Sequence, residues 1–344
     1  MDTVRLDKSE QDLERAAELL RSGELVAFPT ETVYGLGAYA MDPQAVDKIF
    51  EAKGRPSDNP LIVHIAYREQ LKDLAAEIPP AGCVLMDMFW PGPLTLIFPR
   101  TEFVPDRVTA GLSTVAVRMP NHPVALALLE KSGLPVAAPS ANRSGRPSPT
   151  AASHVLEDLE GRIAAVVDGG TTGVGVESTV LDITVHPPMI LRPGGVTKEM
   201  LEEVLGEVQL DPSLERNHAE VRAPRSPGMK YTHYAPKAEM WIVEGSVDKQ
   251  VQMIQSLVDK SRAEGIRTGV LTTTEHQGVY NSDVVLFCGE RKALETVSAG
   301  LYGALREFDQ QGVERIYSES FPEEGIGAAI MNRLRKAAGY RVVR

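Results

Sequence analysis

Apolar residues in this chain come in short runs, and the spacing inside each run predicts its element. Leu13, Ala16, Ala17 and Leu20 repeat at helical spacing, so residues 8 to 22 are expected to form an amphipathic helix, part of a charged N-terminus that is itself read as helical. LVAFP at 25 to 29 is too short and too apolar for an exposed helix and reads as a buried strand that stops at its proline. A helix is expected over 43 to 52, with Asp42 as its cap and Pro43 in its first turn. LIVHIA at 61 to 66, LTLIFP at 94 to 99, TVAVRMP at 114 to 120 and PVAAPS at 135 to 140 read as further strands. IAAVVD at 163 to 168, STVLDIT at 178 to 184 and MILRP at 189 to 193 add three more. Helical stretches intervene at 81 to 89, 122 to 132, 150 to 159 and 197 to 205. Alternation of this kind predicts one large α/β domain, residues 1 to 206, built on a mixed twisted sheet.

Residues 207 to 236 break the pattern. The segment EVQLDPSLERNHAEVRAPRSPGMKYTHYAP has no periodicity and carries four prolines. A passive tether suits that composition, but Tyr231, His233 and Tyr234 are unusual in a tether, and long irregular segments often act as lids. From 237 to 344 the rhythm restarts. EMWIVEG, RTGVLTT, DVVLFC and ERIYSES alternate with helical stretches near 247 to 263, 291 to 311 and 326 to 338. That rhythm implies a small open parallel sheet, and no GxGxxG follows its first strand.

Composition narrows the chemistry. The 344 residues are 43% hydrophobic and 24% charged, ordinary values for a soluble globular protein. A net charge of -11 speaks against a general polyanion binder, because non-specific nucleic-acid affinity comes mainly from excess Lys and Arg. Cys83 and Cys288 stand alone, without CxxC or Cys/His spacing, so neither a structural zinc site nor a disulfide framework is expected. No signal peptide and no run of eighteen apolar residues is found, which leads to the expectation of a cytoplasmic protein with no membrane partner.

Two polar clusters stand out against this background. KGRPSDNP at 53 to 60 and PSANRSGRPSPT at 139 to 150 set cationic side chains beside prolines, small hydroxyls and asparagine. No Walker A sequence occurs, so a phosphate-bearing ligand needs another scaffold. Lys53 and Arg55 flank Gly54; in an extended loop both cations fall on one side, where they can grip phosphoryl oxygens. Asn59 and His64 follow at the mouth of the next strand. Ser140, Asn142, Arg143, Ser144 and Ser148 follow a second strand end. Ser140 lacks a GxSxG elbow and is better suited to hydrogen bonding than to nucleophilic attack. FPTETVYGLGA reads either as a plain strand-to-helix turn or as a loop in which Thr30, Glu31 and Thr32 hold a small polar substrate, while Gly35 and Gly37 permit close backbone approach. Arg118 ends an otherwise apolar strand and calls for a carboxylate, from the protein or from a ligand. GGTTGVGVESTV leads into Ser178, and Arg192 in LRPGG adds a further cation. His122, His154 and His186 have no ligand-like spacing. Paired carboxylates are missing from these clusters, so glycosidase and protein-held two-metal chemistry fit poorly.

Together, PTETVYGLG, KGRP with NPL, PSAN and the ESTV turn resemble the YrdC/YwlC group of threonylcarbamoyl-AMP synthases over roughly residues 10 to 205. SPGMKYTHYAP and the small α/β domain after it resemble the long, two-domain form of that group. The resemblance implies a YrdC-like domain plus a small Rossmann-like C-terminal domain. It also implies a nucleotidyltransferase that makes threonylcarbamoyl-AMP and pyrophosphate from L-threonine, bicarbonate and ATP. Lys53, Arg55, Ser140 and Asn142 match the signature KxR and SxN positions. By the same resemblance Arg55, Asn59, Thr114, Ser140, Ser148 and Arg192 contact ATP, and Tyr231 closes over the nucleotide. Thr32, His64, Arg118, the backbone of Ala138 and Ser178 fall on the threonine side. Mg²⁺ would arrive on the triphosphate, with no metal held by the protein. A tRNA threonylcarbamoyl transferase complex would take the product, with at most a weak direct tRNA contact. Two other readings compete. One is a double-stranded RNA-binding module without catalysis. The other is a carbamoyl transferase of the hydrogenase-maturation type, against which the two lone cysteines speak. A regulatory or assembly role for the C-terminal domain is a third, weaker reading.

Overall fold

The computed structural model describes residues 2–214 and 234–344. Within them the chain forms two compact units. The first takes residues up to 144, 148–173 and those from 177 to the end of the first described stretch. The second takes 145–147, 174–176 and the residues from 234 onward.

The first unit is built on eleven strands: β1 (Val4–Leu6), β2 (Val26–Phe28), β3 (Gly35–Tyr39), β4 (Ile62–His64), β5 (Leu94–Pro99), β6 (Thr114–Arg118), β7 (Val136–Ala137), β8 (Ala165–Val167), β9 (Thr179–Asp182), β10 (Met189–Arg192) and β11 (Gln209–Leu210). Their spatial order is β1-β8-β2-β3-β7-β4-β6-β5-β9-β10-β11, with parallel and antiparallel pairs mixed. Seven helices accompany them: α1 (Glu10–Arg21), α2 (Pro43–Lys53), α3 (Pro80–Phe89), α4 (Asp106–Thr109), α5 (Pro123–Ser132), α6 (Ala152–Leu159) and α7 (Lys198–Leu205).

Local chemistry explains several boundaries. The Ser9 hydroxyl accepts from the Asp12 amide to start α1, which buries Leu13, Ala16, Ala17 and Leu20. Each large aliphatic side chain so buried contributes about 1.5–3 kcal/mol. Asp42 caps α2 by accepting from the Gln44 amide, Pro43 opens the first turn, and Gly54 closes the helix with φ of 62°.

Two segments depart from the sequence reading. Residues 4–6 pair in parallel with 165–167 as an edge strand rather than extending the helix. The chain after Phe28 does not enter a helix either. It turns back as β3, with Phe28 opposite Gly35 and Val26 opposite Gly37. A Cβ on Gly37 would lie 2.8 Å from the Phe28 ring and 2.9 Å from Val136, so only glycine lets these strands close.

Strand alternation then sorts the side chains. Leu36, Val63, Leu96, Phe98, Val115, Val117, Ala137 and Leu181 point to one face, into a large core shared with residues of α2, α3, α4, α6 and α7. On the other face, Val26, Phe28, Val136 and Ala138 pack with α1 and α5. Farther along that second face, from β4 to β10, lie Ile62, Ile97, Ala116, Val180 and Leu191.

The second unit carries β12 (Glu239–Val243), β13 (Thr268–Thr272), β14 (Val284–Phe287), β15 (Arg315–Glu319) and β16 (Val342–Val343), with α8 (Val247–Ala263), α9 (Leu294–Gln310) and α10 (Ile326–Ala337). The strands run in the order β14-β13-β15-β12-β16, and every pair is parallel. At the end of β15 the carboxylate of Glu319 is fully buried. It is within 2.6 Å of His276 Nδ1, accepts from the Tyr280 hydroxyl at 2.8 Å and from Arg291 at 2.7 Å, and is also bonded by Thr272. Those donors hold its pKa below the usual carboxylate value against the opposing effect of burial.

Candidate active site

Several of the polar side chains singled out in the sequence, Thr114, Arg118 and His64 among them, lie on the second face of the large sheet, beyond the part covered by α1 and α5. In β6, Thr114, Ala116 and Arg118 share that face, and Val115 and Val117 point to the core. Register brings in the neighbours: Ile62 pairs with Ala116 and His64 with Arg118, while β5 sets Ile97 against Ala116. Thr114 lies at the amino end of β6 and Arg118 at its carboxyl end, about 13 Å apart at ~3.3 Å per residue. The expected crevice at strand ends is thus a polar strip along a sheet face. The physical reason is that β7, which leads into Ser140, runs antiparallel to both neighbours.

At one end of the strip sit Arg118 and His64, 3% and 4% exposed. Arg118 donates through Nε to the Gly92 carbonyl at 3.2 Å and through Nη1 to the Thr32 hydroxyl at 2.9 Å. Its Nη2 lies 2.6 Å from Glu31 Oε1. Thr32 is held in turn by Thr30, whose hydroxyl donates to the Val33 carbonyl at 2.7 Å. Burial, and then the Arg118 charge, push the pKa of His64 down to about 3, so its imidazole is neutral at physiological pH. The ring stands edge-on to Phe28 at 6.1 Å. Ala138 spends its amide on the Ile62 carbonyl at 2.9 Å, so a backbone contact to a ligand falls to its carbonyl.

Ser178 and Arg192 are in direct contact, although the resemblance assigns them to different ligands. Arg192 donates to the Ser178 carbonyl at 3.0 Å and to its hydroxyl at 3.2 Å. Thr95 Oγ1 lies 2.8 Å from the same hydroxyl. A Cβ on Gly194 would fall 2.3 Å from the Thr179 nitrogen and 2.4 Å from the Glu177 carbonyl oxygen, so the LRPGG turn can press against the ESTV turn only as glycine. Thr95 was missed from the sequence; its signal was a lone polar residue in an apolar strand.

The KxR and SxN motifs meet, but in a way the sequence did not indicate. Lys53 is not in an extended loop. It ends α2 and is 3% exposed, with Nζ donating to the Ser140 carbonyl at 2.5 Å and the Asn142 carbonyl at 2.7 Å. Asn142 Oδ1 lies at 3.5 Å. Its ammonium therefore fixes the SxN turn rather than pointing at a phosphate. Burial, and then the charge of Arg55, pull its pKa down to about 7, while Asp158 and Glu177 pull it up. The Ser140 hydroxyl donates to Asn142 Oδ1 at 2.5 Å, and an amide oxygen is no base, so this hydrogen bond does not activate the serine as a nucleophile. Ser148 is fully buried and donates to Glu177 at 2.5 Å, a partner not foreseen. Arg55 is 8% exposed. Asn59 is 0% exposed, and neither atom of its side-chain amide has a partner among the described residues. An amide buried this way costs about 1–3 kcal/mol unless a ligand satisfies it. Tyr231 and His233 lie outside the described residues. Among the described residues no group of three or more His, Cys, Asp or Glu could hold a metal ion, and no helix is long and apolar enough to cross a membrane.

Comparison with known proteins sets this geometry in context. A family model described as "Telomere recombination" matches residues 18–194, and one described as "Threonylcarbamoyl-AMP synthase, C-terminal domain" matches residues 196–339. The threonylcarbamoyl-AMP synthase of Bacillus subtilis is 58% identical over 343 residues, covering 99% of this chain and 97% of that protein. The protein of the same name from Pyrococcus abyssi is 52% identical over 341 residues, covering 99% and 98%. The crystal structure of P. abyssi Sua5 complexed with L-threonine superposes with a TM-score of 0.94 at 50% identity, covering 99% of both chains.

Proposed function

Because the chain belongs to the threonylcarbamoyl-AMP synthase family, in its two-domain form, we propose that it joins L-threonine, bicarbonate and ATP into threonylcarbamoyl-AMP with release of pyrophosphate. The observation that carries this reading is the strip itself. Arg118, neutral His64, Thr32 and Ser178 build its amino-acid end, and we assign to the nucleotide the buried amide of Asn59, which has no partner among the described residues and precedes β4 in the chain.

Arg118 takes the threonine carboxylate in its fork. Thr32, His64, Ser178 and the Ala138 carbonyl surround the rest of the amino acid, a neutral imidazole being able to exchange hydrogen bonds with a hydroxyl. Asn59 and Thr114 contact the nucleoside end of ATP, with Ile62 and Ala116 as the apolar floor. Arg55, Ser140, Ser148 and Arg192 line the phosphates. The threonine ammonium gives up a proton to solvent, and its free amine forms a C–N bond with bicarbonate as water leaves, giving a carbamate. A carbamate oxygen then attacks the α-phosphorus, the bond to the β-phosphate oxygen breaks, and pyrophosphate leaves. Such a transfer needs alignment and charge neutralisation rather than a protein nucleophile. Arg55 supplies the charge, at about 2–4 kcal/mol in the transition state. Lys53 and Asn142 keep the Ser140 turn in place.

This is nucleotidyl transfer, and we assign the enzyme to that class and to the cytoplasm. Mg²⁺ would ride on the triphosphate oxygens, where it neutralises phosphate charge. The labile product passes to a tRNA threonylcarbamoyl transferase complex; the net charge of -11 favours at most a weak direct contact with tRNA. The test is a substrate-omission assay. Pyrophosphate release should require both L-threonine and bicarbonate, and equal ATP cleavage without threonine would refute the assignment.

A further inference from the structure

The ion pair between Arg118 and Glu31 is incomplete. Its atoms approach to 2.6 Å, yet neither Arg118 Nη2 nor either oxygen of Glu31 has a partner with hydrogen-bond alignment among the described residues. Both side chains are largely withdrawn from solvent, 4% and 14% exposed. The charge of Glu31 is felt by His122, which faces the same region and whose Nδ1 also lacks a partner among the described residues. A buried carboxylate that accepts no aligned hydrogen bond beside a guanidinium with an unused donor is arranged for something between them.

We propose that Glu31 is the specificity residue for the substrate's α-ammonium group, so that Arg118 and Glu31 together clasp an amino-acid zwitterion. This rests on the reading of the Arg118 end as the L-threonine subsite. Charge balance carries the argument. If a substrate carboxylate takes the Arg118 fork, Glu31 loses its counter-ion and becomes an unpaired buried charge. An α-ammonium group restores the balance, and one ion pair becomes two with no change in net buried charge. The ammonium also brings three N–H donors to a place where the Glu31 oxygens lack them. A hydroxy acid of the same shape but without the amine would strand Glu31. The clasp thus selects free α-amino acids and turns the reacting nitrogen to the Glu31 side of the subsite.

The test compares the affinities of L-threonine and of 3-hydroxybutanoate, which lacks the amine, for the full-length protein and for Glu31→Gln and Glu31→Asp, with ATP affinity and thermal unfolding as controls. Wild type should prefer L-threonine at least a hundredfold. Glu31→Gln should weaken L-threonine about 10–100-fold, leave 3-hydroxybutanoate unchanged or tighter, and reduce the preference at least tenfold. Glu31→Asp, which keeps the charge, should restore part of the preference and serves if the Gln variant does not fold. Equal loss for both ligands would make Glu31 merely structural. Tighter L-threonine binding by Glu31→Gln would make it only an internal competitor for Arg118. Either result overturns the proposal. Failure of wild type to bind L-threonine is a separate outcome, and it would refute the subsite reading itself.

Discussion

Replacing Asn59 by Leu should stabilise the ligand-free protein while damaging its nucleotide site. Asn59 is 0% exposed and both atoms of its amide go without partners among the described residues. Leucine has nearly the same shape and nothing to desolvate. Removing an unsatisfied buried amide recovers about 2 kcal/mol. For a unit of this size that raises Tm by about 4–8 °C. On the proposal that the amide holds ATP, the same change deletes two hydrogen bonds to it, and the nucleotide should bind about 30–100-fold more weakly. In wild type, ATP at a thousand times its Kd adds about 4 kcal/mol of stability. In the variant the same ATP concentration adds about 2 kcal/mol less, which removes the advantage it has without nucleotide. Thermal unfolding of both proteins with and without ATP, alongside direct nucleotide titration, reads all of these quantities. A variant that is less stable without ATP, or that is shifted by ATP as much as wild type, would show that the amide is not held for a ligand.

Three further outcomes follow from the same geometry. Lys53→Met should lower pyrophosphate release at least a hundredfold, because the SxN turn loses its anchor. Its unfolding free energy should change by no more than about 2 kcal/mol, since relief of a buried charge offsets the lost hydrogen bonds, and activity within threefold of wild type would contradict the anchoring role. His64 should make the protein acid-sensitive. Its folded pKa of about 3 lies below the ordinary 6.5, so the unfolded chain takes up the proton first and stability is lost as pH falls through that window. Between pH 8 and pH 5 wild type should lose about 2 kcal/mol more than His64→Asn in denaturant titrations, and parallel losses would count against a buried neutral imidazole. Gly194→Ala should destabilise by about 3 kcal/mol, whereas Gly170→Ala, with φ of 87° but nothing within 4 Å, should lose only about 1 kcal/mol; equal effects would mean that the close approach is unimportant.

Much of the fold was legible where its cause is local. Asp42, Pro43 and Gly54 bound α2 with their own side chains or their lack of one, and the alternation of TVAVR marks β6 without reference to anything distant. What escaped notice depends on remote partners. GLGAY has little strand propensity, and it becomes β3 because Phe28 and Val136 leave room only for a bare Gly37. The strand VRL is three residues long, and its partner is about 160 residues away. In the site the residue types were visible and the pairings were not. Lys53 was read as a phosphate ligand from its neighbours in sequence. Its acceptors, however, are main-chain carbonyls, which every residue carries and no composition reveals. Glu31 reads in the sequence as a residue for a polar substrate and Arg118 as one that needs a carboxylate from the protein or a ligand, but their contact spans 87 residues and arises only when β2 hands over to β3 beside the end of β6.

The division of labour within β6 limits how this protein can change. Val115 and Val117 belong to the core, while Thr114, Ala116 and Arg118 take the opposite face, where we propose the site. Substitution can therefore retune the pocket one alternate position at a time without disturbing the interior. A length change is a different matter. One residue inserted or deleted between Thr114 and Arg118 would put valines into the polar strip and an arginine into the core at a single stroke. Variation among descendants of this sequence is thus channelled. Loops can lengthen freely, alternate strand positions can drift, and the residue count of the central strands stays fixed.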